Sequence, residues 1–145
     1  MNVLGIDPGR EKTGVAVVAS DGHVHVRAIV ETGRLKAEIE PLILQWMITR
    51  IALGNSTSSK AARAEIEGLF QQRQWENVHI EWVDEKNSTL EARVLYFEEY
   101  PPRGWRKWMP FSSQMPPVPV DDFAAVVVAR RLMFGQPEEK SKGKL

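Results

Sequence analysis

The first thirty residues read as consecutive strands, and the chain then switches to alternating helices and strands; this change of period limits the possible folds more than any other feature. Val3 to Asp7 is a short apolar run ending in an acid and closed by the turn-forming pair Pro8-Gly9. Gly14 to Ala19 is a second run, rich in valine. Ser20-Asp21-Gly22 then gives a hairpin signal, after which Val24, Val26 and Ala28 alternate with polar residues up to Val30. Three antiparallel strands are expected from this stretch.

Beyond it, Leu35, Ile39, Leu42, Ile43 and Trp46 fall at spacings of three and four, one stripe of a helix. Ile51 to Gly54 predicts a short buried strand. Asn55-Ser56-Thr57-Ser58 is rich in helix-capping residues and precedes a stripe of Ala62, Ile66, Leu69 and Phe70. Val78, Ile80 and Trp82 alternate in a further strand that ends at Val83-Asp84-Glu85. Ser88 is expected to cap a helix bearing Leu90, Val94 and Phe97, with Glu91 at the capping-box position. Tyr100 to Val120 holds six prolines, which rules out regular structure across most of it. Phe123 to Phe134 predicts an apolar final helix, and the lysine-rich 136–145 a disordered tail after a single domain at 1–135. The order describes an α/β sheet with mixed strand directions.

Composition narrows the chemistry. The 145 residues include no cysteine, which removes disulfides, thiolate zinc sites and cysteine nucleophiles together. No apolar run approaches the roughly 20 residues that span a bilayer, so no membrane partner is expected. MNVLGIDPGR lacks the basic and apolar regions of a signal peptide, which points to the cytoplasm. Net charge is zero, from 19 basic and 19 acidic residues. A dedicated nucleic-acid binder usually shows a basic excess. Acids grouped around a metal would mask a basic phosphate-binding surface in that balance.

Leu4-Gly5-Ile6-Asp7-Pro8-Gly9, followed by Thr13-Gly14-Val15-Ala16, resembles the opening of RuvC-type Holliday-junction resolvases, and the whole chain resembles their YqgF-like (RuvX) relatives. Leu53-Gly54-Asn55 is similar to that family's strand-end glycine motif. Val83-Asp84-Glu85-Lys86-Asn87-Ser88-Thr89 with Ala92 is similar to its Asp-Glu-Arg…Thr…Ala segment, and Val120-Asp121-Asp122-Phe123-Ala124-Ala125 to the start of its last helix. The four motifs fall in order, and the resemblance spans residues 3 to 134.

The resemblance implies a ribonuclease-H-like five-stranded mixed sheet, order 3-2-1-4-5, with helices on both faces. It further implies a nuclease whose catalytic and metal-holding acids are Asp7, Glu85 and Asp121, with Mg²⁺ or Mn²⁺ as cofactor. In that fold Asp7 and Gly54 end neighbouring strands where the strand order reverses, the place where open α/β sheets bind ligands. Three converging carboxylates repel one another unless divalent cations bridge them or one is protonated. Two such ions about 4 Å apart stabilise the attacking and leaving oxygens of phosphodiester cleavage. The substrates implied are four-way DNA junctions or precursor ribosomal RNA, structured or single-stranded. A resolvase needs a two-fold homodimer; a trimming ribonuclease works as a monomer. Two positions depart from the pattern. Asn55 stands where many ribonuclease-H-like nucleases carry their second acid, and Lys86 replaces the arginine after Asp-Glu, losing a bidentate fork.

Each acid also has a plainer role: Asp7 as a turn cap, Glu85 as a solvated residue past a strand end, Asp121 as an N-cap with Asp122 in the first turn. Arg103, Trp105, Arg106, Lys107 and Trp108 cluster in the proline-rich segment, as phosphate contacts and base-stacking rings or as a solvated cover for the sheet edge. Asn55 and Ser56 open a helix N-terminus suited to phosphate, or simply cap it, and Lys86 is a further candidate phosphate contact. His23 and His25 flank Val24 on one strand face without a third ligand nearby, and His79 is expected to be exposed. Two other function classes remain at this point: a catalytically weak or inactive nucleic-acid-binding scaffold, and an actin-like nucleotide-binding module, whose relatives need two such domains.

Overall fold

The computed structural model describes residues 1–101, 116 and 118–135. Arg103, Trp105, Arg106, Lys107, Trp108 and the segment 136–145 lie outside them. Five strands, β1 (Asn2–Asp7), β2 (Lys12–Ala19), β3 (Val24–Glu31), β4 (Arg50–Gly54) and β5 (His79–Val83), form one sheet in the order β3-β2-β1-β4-β5. β1 pairs antiparallel with β2 and parallel with β4; β4 pairs parallel with β5. The helices are α1 (Leu35–Gln45), α2 (Ser59–Arg73), α3 (Ser88–Glu99) and α4 (Asp121–Phe134). The mixed α/β sheet is the one the sequence pattern predicts and the strand order is the one the resemblance implies, and none of the described helices is long and apolar enough to cross a membrane.

Alternation along the central strands divides the core. Leu4, Ile6, Val15, Val17, Ile51 and Leu53 pack on one face against Leu35, Ile39 and Ile43 of α1 and Ala62, Ile66 and Leu69 of α2. Val3, Ala16, Val18, Ala52 and Val83 pack on the other against Ala125, Val126, Val128 and Ala129 of α4. α3 lies outside α4, joined to it through Ala92, Tyr96, Phe97, Phe123 and Ala124. Close approach of α4 to the sheet depends on Gly14, where a Cβ would overlap the backbone of Asp121. Gly14 is also the register partner of Asp7, so the start of α4 is set beside the end of β1.

The third helix differs from its predicted pattern. Its first residue is Ser88, preceded by Asn87 in the left-handed conformation at φ 64°, and no side chain caps it. Glu91, expected in a capping box, instead pairs with the buried Arg131 of α4 at 3.1 Å. On this helix Ala92, Tyr96 and Phe97 are buried while Leu90 stays 42% exposed. Trp82 departs as well. It aligns with Leu53 on β5, but β5 is the last strand of the sheet and the ring is 46% exposed.

Truncation separates the two kinds of apolar position. Ile66→Ala, at a site with no exposure, is expected to cost about 2–5 kcal/mol. Leu90→Ala should stay within about 0.5 kcal/mol of wild type, as surface substitutions do. Urea unfolding of the two variants checks the assignment, and comparable losses would contradict it.

Candidate active site

Apolar residues buried on both faces of β1 carry it through the middle of the sheet and leave Asp7 at its C-terminal end. β5 runs parallel to β1 with β4 between them, so the two strands are about 10 Å apart. Glu85, two residues past the end of β5, reaches back over the end of β4 to meet Asp7. Its path crosses Gly54, where a Cβ would collide with the Glu85 carboxylate. The glycine ending β4 is therefore a cradle for Glu85.

Asp7 and Glu85 face one another at hydrogen-bonding range. Burial is the largest influence on Asp7; the hydrogen bond it donates to Glu85, the Glu85 charge and the Asp121 charge follow in that order. Together they push its carboxyl from 3.8 up to about 9. Asp7 therefore keeps a proton at neutral pH in the absence of a cation. Among the described residues, Oε1 of Glu85 is buried with no hydrogen-bond partner.

Asp121 opens α4; Val120 is the N-cap residue, so the plain capping role foreseen for Asp121 is not the one observed. Its carboxyl is raised by burial and then by the neighbouring Asp122 charge. Its charge is the smallest of the influences that raise Asp7. Asp122 is engaged elsewhere. Its Oδ2 accepts from Arg27 Nε at 2.8 Å and its Oδ1 from the Phe123 N–H at 3.0 Å.

The segment rich in capping residues does something else. Asn55 Oδ1 accepts the Glu85 N–H at 3.0 Å, and the Asn55 N–H donates to the Val83 carbonyl at 3.1 Å. Ser56 Oγ donates to the Pro8 carbonyl at 2.9 Å, and Ser59 Oγ to the Gly54 carbonyl. No side chain caps α2. The start of α2 thus clasps the residue after Asp7 and the backbone of Glu85, a role its composition did not reveal because both partners are distant in sequence. The Thr32 hydroxyl donates to the Gly9 carbonyl at 2.9 Å and contacts the buried Thr13 hydroxyl at 2.8 Å, fixing the turn after Asp7. On the far side, Arg131 Nη1 donates to the Asp84 carbonyl at 2.7 Å, next to Glu85. Lys86 is exposed beside the pair.

The pair suits a hard divalent cation. Mg²⁺ is commonly held by one or two carboxylates, with water and substrate phosphate oxygens completing its shell. Two facing acids, one protonated and one with an orphaned oxygen, form a donor set that a cation would satisfy by replacing the proton. Among the described residues no three His, Asp or Glu side chains group closely enough to hold an ion jointly. His23 and His25 are exposed, their rings 5.1 Å apart, and His25 stacks on Trp46 at 4.5 Å. His79 is exposed, as expected.

The fold is that of several solved structures. Thermus thermophilus RuvC in complex with a Holliday junction substrate matches with TM-score 0.56 and 17% identity over 89% of this chain and 90% of that one. Another Thermus thermophilus RuvC structure gives 0.58 and 16% over 93% and 97%. The fowlpox virus resolvase, solved with substrate Holliday junction DNA, gives 0.54 and 10% over 92% and 97%. No family model and no curated protein matches the chain in sequence.

The raised Asp7 carboxyl has a signed consequence. Between 3.8 and about 9 the folded chain holds a proton that the unfolded chain has lost, so this group's contribution to stability falls as pH rises through that window. Glu40 and Glu81, held low by hydrogen bonds from Arg73 and Arg50, act oppositely and only in acid, where their contribution is lost as pH falls. Asp7→Asn should therefore gain melting temperature relative to wild type on going from pH 5 to pH 8 without metal. Millimolar Mn²⁺ should raise the wild-type value at pH 8 and leave Asp7→Asn unmoved. Gly54→Ala, which displaces Glu85, should also lose the Mn²⁺ response. A pH profile unchanged by Asp7→Asn would contradict the assignment.

Proposed function

We propose that this chain is a metal-dependent endonuclease that hydrolyses phosphodiesters of nucleic acid, with Asp7 and Glu85 at its centre and Asp121 as the accompanying acid. The observation that carries the reading is the half-buried, hydrogen-bonded Asp7–Glu85 pair at the strand ends of a ribonuclease-H-like sheet. A buried carboxyl is costly to ionise without a compensating charge, and two held face to face by a dedicated glycine are suited to binding a cation rather than to supporting the fold. The four ordered sequence motifs support placement among the YqgF-like relatives of RuvC. Structural likeness to resolvases solved with junction DNA favours branched DNA over precursor ribosomal RNA.

Asp7 and Glu85 would hold Mg²⁺ or Mn²⁺, which when bound supplies an activated water and stabilises charge on the attacking and leaving oxygens. Asn55, Ser56 and Thr32 keep the two carboxylate-bearing loops in register. Lys86 lies outside the pair, placed to meet the phosphate backbone as a point charge. The basic-aromatic segment with Arg103, Trp105, Arg106 and Lys107 adjoins α4 in sequence and belongs to the same proposal as a strand-gripping element. Cutting a four-way junction at symmetry-related positions would take a homodimer.

Incubation with labelled four-way junctions and with single-stranded RNA, in Mg²⁺ or Mn²⁺, tests the reading. Wild type should cut at least one of them, and Asp7→Asn should lose about 100-fold or more of that activity. Full activity in purified Asp7→Asn would overturn the proposal.

A further inference from the structure

Trp82 and Arg63 are left unused by the site described above. Trp82 belongs to β5, three residues before Glu85, which places their Cα atoms no more than about 10 Å apart. Its ring is 46% exposed on the outermost strand, on the sheet face covered by α2. The Arg63 guanidinium of α2 lies 5.1 Å from the ring centroid, within cation–π range. Arg63 and the exposed Lys60 sit in the first turns of α2, where the first turn carries no acid. Lys86 stands at the other end, just past Glu85. An exposed aromatic side chain with a cation over its ring therefore stands three residues from Glu85, with the exposed Lys60 one turn before Arg63 on α2 and Lys86 next to Glu85 in sequence.

An apolar cover for the edge of the sheet would need neither a flat ring nor a cation over it. Positive charge tracks a phosphate backbone, whereas an exposed indole face offers a stacking surface that only an unpaired base can occupy. We propose that Trp82, backed by Arg63, is a base-stacking subsite for an unpaired nucleotide of the strand being cut. The strand crosses the end of β5 with its phosphate at Asp7 and Glu85 and its neighbouring base on Trp82. This rests on the nuclease reading and narrows its substrate to nucleic acid with a single-stranded or splayed segment at the cleavage point.

Fluorescence anisotropy with a labelled oligothymidine and a blunt duplex of equal length, without added metal so that neither is cut, tests the subsite. Trp82→Leu keeps an apolar cover and removes the π face, while Trp82→Phe keeps a ring. Trp82→Leu should weaken single-strand binding by roughly 5- to 140-fold, the range for losing one stacked base. Duplex affinity and melting temperature should be unchanged, and Trp82→Phe should retain most of the single-strand affinity. Single-strand binding equal to wild type in Trp82→Leu would overturn the subsite, and if that variant still cuts in Mg²⁺, the nuclease reading survives. A wild-type chain that binds neither oligonucleotide and cuts nothing would overturn both together.

Discussion

Two half-buried carboxyl groups held against each other resist being charged together. At 4 Å their repulsion amounts to about 4 kcal/mol in a medium of effective dielectric constant near 20, and burial adds to that cost. Here the conflict between Asp7 and Glu85 is met by a proton on Asp7, whose carboxyl is lifted to about 9. The contact is made across the width of a whole strand, and Gly54 exists in its present form to let Glu85 through.

The surrounding structure holds the arrangement from three directions. The start of α2 gives its side chains to the Pro8 carbonyl, the Gly54 carbonyl and the Glu85 N–H, leaving its own terminus uncapped. Arg131 reaches from α4 through the interior to the Asp84 carbonyl. Gly14 lets the first turn of α4 settle beside β1 with Asp121 in electrostatic reach of Asp7. Local helix stability gives way to orientation of two loops, the pattern expected where a site must be held rigid.

Much of this was legible in the sequence because apolar period and turn chemistry are local. The three opening strands, the helix-strand alternation and the acid ending β1 all follow from neighbouring residues. Placing Glu85 and Asp121 with Asp7 took the resemblance of four motifs, since nothing local brings positions 7, 85 and 121 together. The features that escaped depend on tertiary partners. Ser56 and Asn55 look like caps until loops elsewhere in the chain claim their side chains. Leu90 fits a helical stripe, but the face of α3 that packs on α4 is the one bearing Ala92, Tyr96 and Phe97. Trp82 alternates like a core residue, and only its position on the last strand of the sheet exposes it.

The account turns on whether the carboxylate pair exchanges its proton for a divalent ion. A crystal grown or soaked in Mn²⁺ at pH 8 and read by anomalous scattering measures this directly. The account predicts a peak within about 2.0–2.4 Å of oxygens from both Asp7 and Glu85, as hard-cation coordination requires, with the two carboxyls no longer hydrogen-bonded to each other. Asp7 and Glu85 still in direct contact, with no peak between them at millimolar Mn²⁺, would contradict it.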